Sequence, residues 1–271
     1  MRLLIIIILL LFISLLFAGC TFRNLEETKL FEQSYLVENG TVVKIFNTNG
    51  NVRVAKSINE SIIVQAEIKS RLGRLDLEKT KIEVTAGKEF IIRTITESNA
   101  RTRVNYTIQL PKNASLAEIE TTNGGIIVRD VSGDFSAKNA NGRIEIYNVN
   151  GIVSALTSNA QILIKNTKSI NIARSSNGKI EAEIFEIPHN GTTIITSNAI
   201  LKCAILNVLN ANIECRTTNG HISIKQLKLD IIESAENYLT ARLGNGGEKI
   251  LLETTNANVE LSGLEIQQPE S

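Results

Sequence analysis

Thr121-Thr-Asn-Gly-Gly-Ile-Ile-Val128 is followed by Asn139-Ala-Asn-Gly-Arg-Ile-Glu-Ile146, and the block returns as Ser175-Ser-Asn-Gly-Lys-Ile-Glu-Ala182 and Thr217-Thr-Asn-Gly-His-Ile-Ser-Ile224. Its central Asn stands at Asn123, Asn141, Asn159, Asn177, Asn198 and Asn219, at intervals of 18, 18, 18, 21 and 21 residues. A fixed period of this size marks stacked copies of one supersecondary unit. Looser copies at Asn49 and Asn256 lengthen the array, and Ser234-Ala-Glu-Asn237 offers a degenerate corner at Glu236.

The flanks of each corner fix the local structure. Three residues after it stand Val52, Ile126, Ile144, Ile162, Ile180, Leu201, Ile222 and Val259, and five after it another wholly apolar column from Val54 to Leu261. Four residues before it the chain is again apolar, from Ile45 to Leu252, with Ile232 preceding the Glu236 copy. Alternation with period two on both sides of a turn means strand, corner, strand. The expected fold is all-β, a right-handed parallel β-solenoid with an N-terminal antiparallel β segment. Each corner Asn is assigned a structural part, as a left-handed residue and as a rung in a ladder of stacked amides.

Composition agrees with a narrow core. Hydrophobic residues make up 43%, yet aromatics are only 4% and Trp is absent, as a lumen lined by Ile, Val and Ala would require. The net charge of +1 gives no field for a polyanion, so nucleic acid is excluded as a partner.

Before the array lies a different segment, with strands predicted near Ser61–Ile68, Lys81–Val84, Phe90–Ile95 and Val104–Leu110. The short loop at Gly87 predicts an antiparallel hairpin that covers the open end of the coil, with Glu97-Ser-Asn-Ala100 as a plain turn. The remaining boundaries are a signal peptide over 1–19, a tether over 20–34, the N-terminal β segment with the first rung over 35–120, the repeats over 121–264 and a polar tail over 265–271.

An apolar run from Leu3 to Ala18, broken by Ser14, is shorter than the roughly 20 residues that span a bilayer as a helix, so it is expected to be a secretory signal. Ala18-Gly19-Cys20 resembles the cleavage site of prokaryotic lipoproteins, with Phe17 where Leu is usual. The resemblance implies that Cys20 becomes the first residue and carries a diacylglycerol-type lipid. Cys203 and Cys215 occupy inward positions and are expected to be free thiols, because facing sheets lie about 10 Å apart, beyond disulfide reach; an oxidising exterior keeps a bridge between them as the alternative.

Taken together, the Thr121, Asn139, Ser175 and Thr217 blocks resemble the DUF4097 family of candidate adhesins over about Glu38 to Leu264, including a turn from Pro111 to Leu116 before the regular rungs. The resemblance implies a secreted or membrane-anchored β-solenoid at the cell surface, and it names no biochemical activity.

Candidate chemistry lies on the outward columns. Glu145 and Glu181 lie two rungs apart, about 9.6 Å by strand spacing, at the upper limit for the carboxyl pair of an inverting glycosidase. Leu163 stands between them, and Lys202 and Lys165 are placed to pair with Glu181 and Glu183. No catalytic residue, metal ligand or cofactor is therefore assigned, and the chain is expected not to be an enzyme. His189 and His221, the two imidazoles, lie in no ligand-spaced cluster.

Ile152, Leu156, Ile170, Ile172 and Ile195 are expected to form an exposed apolar strip, a possible binding surface. The function expected is thus binding or scaffolding at the extracytoplasmic face of the envelope, through a lipid anchor in the membrane, toward a glycan or an envelope protein. The alternatives are a polysaccharide-modifying enzyme on a β-helix and a structural spacer.

Overall fold

The computed structural model describes residues 26–265. The expected signal peptide, Cys20, the first part of the expected tether and nearly all of the expected polar tail lie outside them. Among the described residues the fold is all-β apart from one helical turn at Arg74–Leu77. In chain order the strands are β1 (Glu27–Leu36), β2 (Thr41–Phe46), β3 (Val52–Lys56), β4 (Ser61–Ser70), β5 (Thr80–Thr85), β6 (Glu89–Thr96), β7 (Thr102–Leu110) and β8 (Ala114–Glu120). The short central strands follow: β9 (Ile126–Arg129), β10 (Phe135–Lys138), β11 (Ile144–Tyr147), β12 (Ile152–Thr157), β13 (Ile162–Lys165), β14 (Ser169–Ser175), β15 (Ile180–Ile184), β16 (Thr192–Thr196) and β17 (Leu201–Leu206). The last are β18 (Ala211–Arg216), β19 (Ile222–Lys225), β20 (Asp230–Ser234), β21 (Tyr238–Leu243), β22 (Lys249–Glu253) and β23 (Val259–Leu264).

Two large sheets, rich in parallel pairs, face each other across one apolar interior. Sheet I runs β1-β4-β7-β3-β9-β11-β13-β15-β17-β23-β19, and sheet II runs β20-β21-β18-β22-β16-β14-β12-β10-β8-β2-β6-β5. Each rung is one strand of sheet II, an Asn corner and one strand of sheet I. Registers repeat without slip along the centre of sheet I, where Ile126, Ile144, Ile162, Ile180 and Leu201 stack in one column. These side chains are fully buried. Removing each from water contributes roughly 1.5–3 kcal/mol, which is why so narrow a core holds.

Stacking order departs from chain order at both ends. The rung β2–β3 lies between β6–β7 and β8–β9, because β6 pairs in parallel with β2 and β7 with β3. Glu97-Ser-Asn-Ala100 is thus the corner of a further rung, where the sequence predicted only a turn in an antiparallel cover. The antiparallel part is real but smaller: β5 closes sheet II against β6, while β4 and then β1 close sheet I against β7.

At the other end, the last rung of the chain, β22–β23, inserts between β16–β17 and β18–β19. Charges match this order: Lys202 Nζ lies 2.6 Å from Glu260 and Lys249 Nζ lies 2.5 Å from Glu214. Both pairs join the inserted rung to the rungs on either side.

Three expectations are corrected. Residues 27–34 of the tether belong to β1, a ten-residue edge strand paired with β4, and Tyr35 stacks edge-on against Phe90 at 5.1 Å. Glu236 turns a hairpin instead of a solenoid corner: Ala235 N–H donates to Tyr238 O at 2.8 Å, and β21 runs antiparallel to β18. Ile232, assigned to the inward column, is accordingly 64% exposed. Ile222 and Ile224 point inward but are only half-buried, since β19 ends sheet I while β21 and β20 extend sheet II beyond it.

Candidate functional site

Asn123 Nδ2 donates to Asn49 Oδ1 at 2.7 Å, and Asn141, Asn159, Asn177 and Asn198 each donate to the preceding corner at 2.8 Å. The column then passes to Asn256 and ends at Asn219, with bonds of 2.7 and 2.8 Å. These eight corner Asn residues form one amide ladder in stacking order, which Asn99 does not join.

Beneath the ladder lies a column that the motif contained but the sequence reading passed over. Two residues before five of the corners, Thr121, Ser175, Thr196, Thr217 and Thr254 turn inward and donate to a corner carbonyl of the neighbouring rung, as Thr196 Oγ1 does to Gly178 O at 3.0 Å. A buried carbonyl without a donor is costly, so the first Thr or Ser of Thr-Thr-Asn-Gly is a satisfier. The Gly after the Asn meets a spatial demand in some rungs: a Cβ on Gly142 would overlap the Gly124 carbonyl, although Ala160 fills the equivalent place one rung on.

The left-handed residues are not these Asn residues. Positive φ occurs at Asp130 (57°), Asn148 (55°), Asn166 (46°) and Gln226 (53°), at the opposite corner, directly after β9, β11, β13 and β19. There one residue makes the turn and swings Val131, Val149 or Thr167 inward. A second, shorter ladder runs from Asn166 to Asn148 to Asp130 at 2.8 Å per bond. Its signal was legible as a polar residue every 18 positions, Asp130, Asn148 and Asn166.

On the outer face of sheet I the expected carboxylates are committed to cations. Arg143 Nε lies 3.2 Å from Glu145 Oε1, the Tyr147 hydroxyl donates to Glu145 Oε2 at 3.0 Å, and the Arg129 guanidinium sits 4.1 Å above the Tyr147 ring. Burial and the Glu145 carboxylate raise the Tyr147 hydroxyl above the usual tyrosine range. Glu181 pairs with Lys179, the residue just before its strand, at 2.8 Å, and the Lys179 hydrogen bond holds its carboxyl below the usual range. Lys202, placed beside Glu181 in sequence, makes its ion pair with Glu260 of the inserted rung instead. Lys165 and Glu183 stand 3.8 Å apart, and Leu163 separates Glu145 from Glu181 in the ladder.

The five apolar residues of the expected strip are not brought together. Ile170 is fully buried, because sheet II slips register between Val153 and Ser154, and Asn171 takes the outward place. Leu156 and Ile195 are separated by Arg174, while Ile172 lies between Ser154 and Thr193. What remains is a mixed surface with single apolar members.

Cys203 and Cys215 are free and buried, on opposite sheets. Burial pushes both thiols up, Cys215 to about 12. His221 Nδ1 lies 2.8 Å from Glu236, and His189 Nδ1 lies 3.6 Å from Glu248. Among the described residues no group of three or more His, Cys, Asp or Glu side chains gathers, and no helix is long and apolar enough to cross a membrane.

No protein-family model matches the chain, and no curated protein is similar to it. Among solved structures the chain is similar to a candidate cell adhesion protein from Clostridium sporogenes, at 11% identity over 87% of this chain and 100% of that one, with a TM-score of 0.33. Candidate adhesins from Bacteroides fragilis and Parabacteroides distasonis each show 11% identity over 87% of this chain and 97% of theirs, with TM-scores of 0.35 and 0.37. Likeness this distant carries no conclusion about activity.

Proposed function

We propose that this chain is a non-catalytic surface protein, a solenoid held at the extracytoplasmic face of the envelope that binds or scaffolds a glycan or an envelope protein. The observation that carries this reading is the state of the outward carboxylates. Glu145, Glu181 and Glu183 each face a cation at 3.2, 2.8 or 3.8 Å, and Glu181 is held toward its ionised form. A glycosidase acid needs the reverse, a carboxyl kept protonated in an apolar site.

The finer assignments belong to the same proposal: a right-handed coil of the DUF4097 type, exported by residues 1–19 and anchored through a lipid on Cys20. The seven steps from Cys20 to Glu27 reach about 25 Å at most. The β1 end would therefore ride close to the membrane.

Fractionation tests the anchor and chain-length analysis tests the chemistry. Cys20→Ser is expected to lose lipid labelling and leave the membrane fraction, and unchanged retention would refute the lipid anchor. The full-length protein in detergent is expected to leave envelope polysaccharides at their original length. Shortening that Glu145→Gln or Glu181→Gln abolishes would establish the enzyme instead.

A further inference from the structure

Where the antiparallel cover meets the coil, the outer face of sheet I forms a polar trough of about 480 Å³. Ladder register builds its floor. One row across the strands is Glu32, Gln65, Thr107 and Arg53, and the adjacent row is Leu30, Glu67 and Asn105, with Asn51 alongside. Tyr106, Ala66 and Val52 point the other way and are buried in the core, so the floor rests on a fixed base. Gly125 offers no side chain in the row beyond Asn51.

Several of the trough's polar groups are unspent, although Glu67 pairs with Lys69 at 3.0 Å. Among the described residues Arg53 and Glu32 make no ion pair, and the side chains of Gln65 and Thr107 make no hydrogen bond. Two amides are fixed in place: Asn105 Oδ1 accepts from Asn51 N–H at 3.0 Å, and Asn51 Oδ1 accepts from Gly125 N–H at 2.9 Å. With its oxygen anchored, the Asn51 amide keeps its Nδ2 donors for a ligand. Leu30, 73% exposed, supplies an apolar wall at one flank.

We propose that this trough binds an extended, hydroxyl-rich glycan laid across the strands. The proposal rests on the binding reading above and names its ligand class and site. A peptide would be read by strand addition at a free edge or by apolar side-chain pockets. Here the backbone of β4, β7 and β3 is consumed in the ladder, and the floor offers amides, a hydroxyl, a guanidinium and the carboxylates of Glu32 and Glu67. Such groups pair with a ligand that brings its own hydroxyls, while Leu30 covers a C–H face of a sugar ring. Successive partners recur at about 4.8 Å, the strand spacing, close to the rise of one ring in an extended β-linked polysaccharide.

The test is titration of full-length protein in detergent micelles with cello-, xylo-, chito- and galacturono-oligosaccharides and with peptidoglycan-derived muramyl oligomers. Saturable binding to one series is expected, about tenfold weaker in Arg53→Ala and in Gln65→Ala, with Ile195→Ser on the opposite sheet unchanged. Binding that both trough variants leave intact would overturn the site while the binding reading stands. Failure to bind every series, with adherence to whole envelopes retained, would overturn the glycan class. Shortening of an oligomer would instead overturn the non-catalytic reading itself.

Discussion

Thr196→Val isolates the buried hydroxyl column from every other source of stability. The two side chains have nearly the same shape, so no cavity opens and no backbone is forced. What is lost is the 3.0 Å bond from Thr196 Oγ1 to the Gly178 carbonyl, at a residue 1% exposed. A buried acceptor stripped of its donor costs about 1–3 kcal/mol. For a chain of this length each kcal/mol moves the melting midpoint by about 2–4 °C, so a loss of about 2 kcal/mol lowers it by about 4–8 °C. A circular-dichroism melt of the β signal measures this, with Thr196→Ser as the control that keeps the hydroxyl and is expected to fall by less. A midpoint equal to or above that of the native sequence would show that the corner carbonyl does not depend on this column.

Removal of Lys249–Ser271 takes out an interior rung of the stack: β18–β21 should lose hydrogen-exchange protection while β9–β13 keep theirs, and equal protection throughout would refute the inserted order. Glu181→Gln should cost less than about 1 kcal/mol at neutral pH, since the pair is part-exposed. Because Lys179 lowers the folded carboxyl below its unfolded value, that contribution is present above the unfolded value and lost as pH falls through the folded one; a difference between variant and native protein that persists in strong acid would contradict the pairing. Cys203 and Cys215 should resist maleimide until the protein unfolds, and stability should fall as pH rises past the ordinary thiol range, where only the unfolded chain ionises freely. Rapid labelling of either thiol in the folded protein would refute their burial.

The rungs were legible because each repeats the same local constraint. An Asn flanked by alternating apolar residues specifies strand, corner and strand wherever it occurs, and Ile144, Ile162 and Ile180 are buried as that alternation demands. The corner at Asn99 escaped because Thr102 stands where its neighbours have Ile or Val, and its strand is offset so that Tyr106 pairs with Val52. Ile170 escaped because a single register slip moves a side chain to the opposite face, and nothing in Ser-Ile-Asn-Ile announces that slip.

By itself, the sequence determined the unit: its two short strands, its apolar columns, its amide corners and the all-β class. Only the tertiary structure decided the order in which units stack, since one rung with Ile, Val and Ala inside accepts another in any sequence. Long-range pairs settle that order, such as Lys202 with Glu260 and Lys249 with Glu214, together with the antiparallel strands β1, β4, β5, β20 and β21 that close the ends. The trough has the same origin. Glu32, Gln65, Thr107 and Arg53 are far apart along the chain, and only the ladder of β1, β4, β7 and β3 sets them in one row.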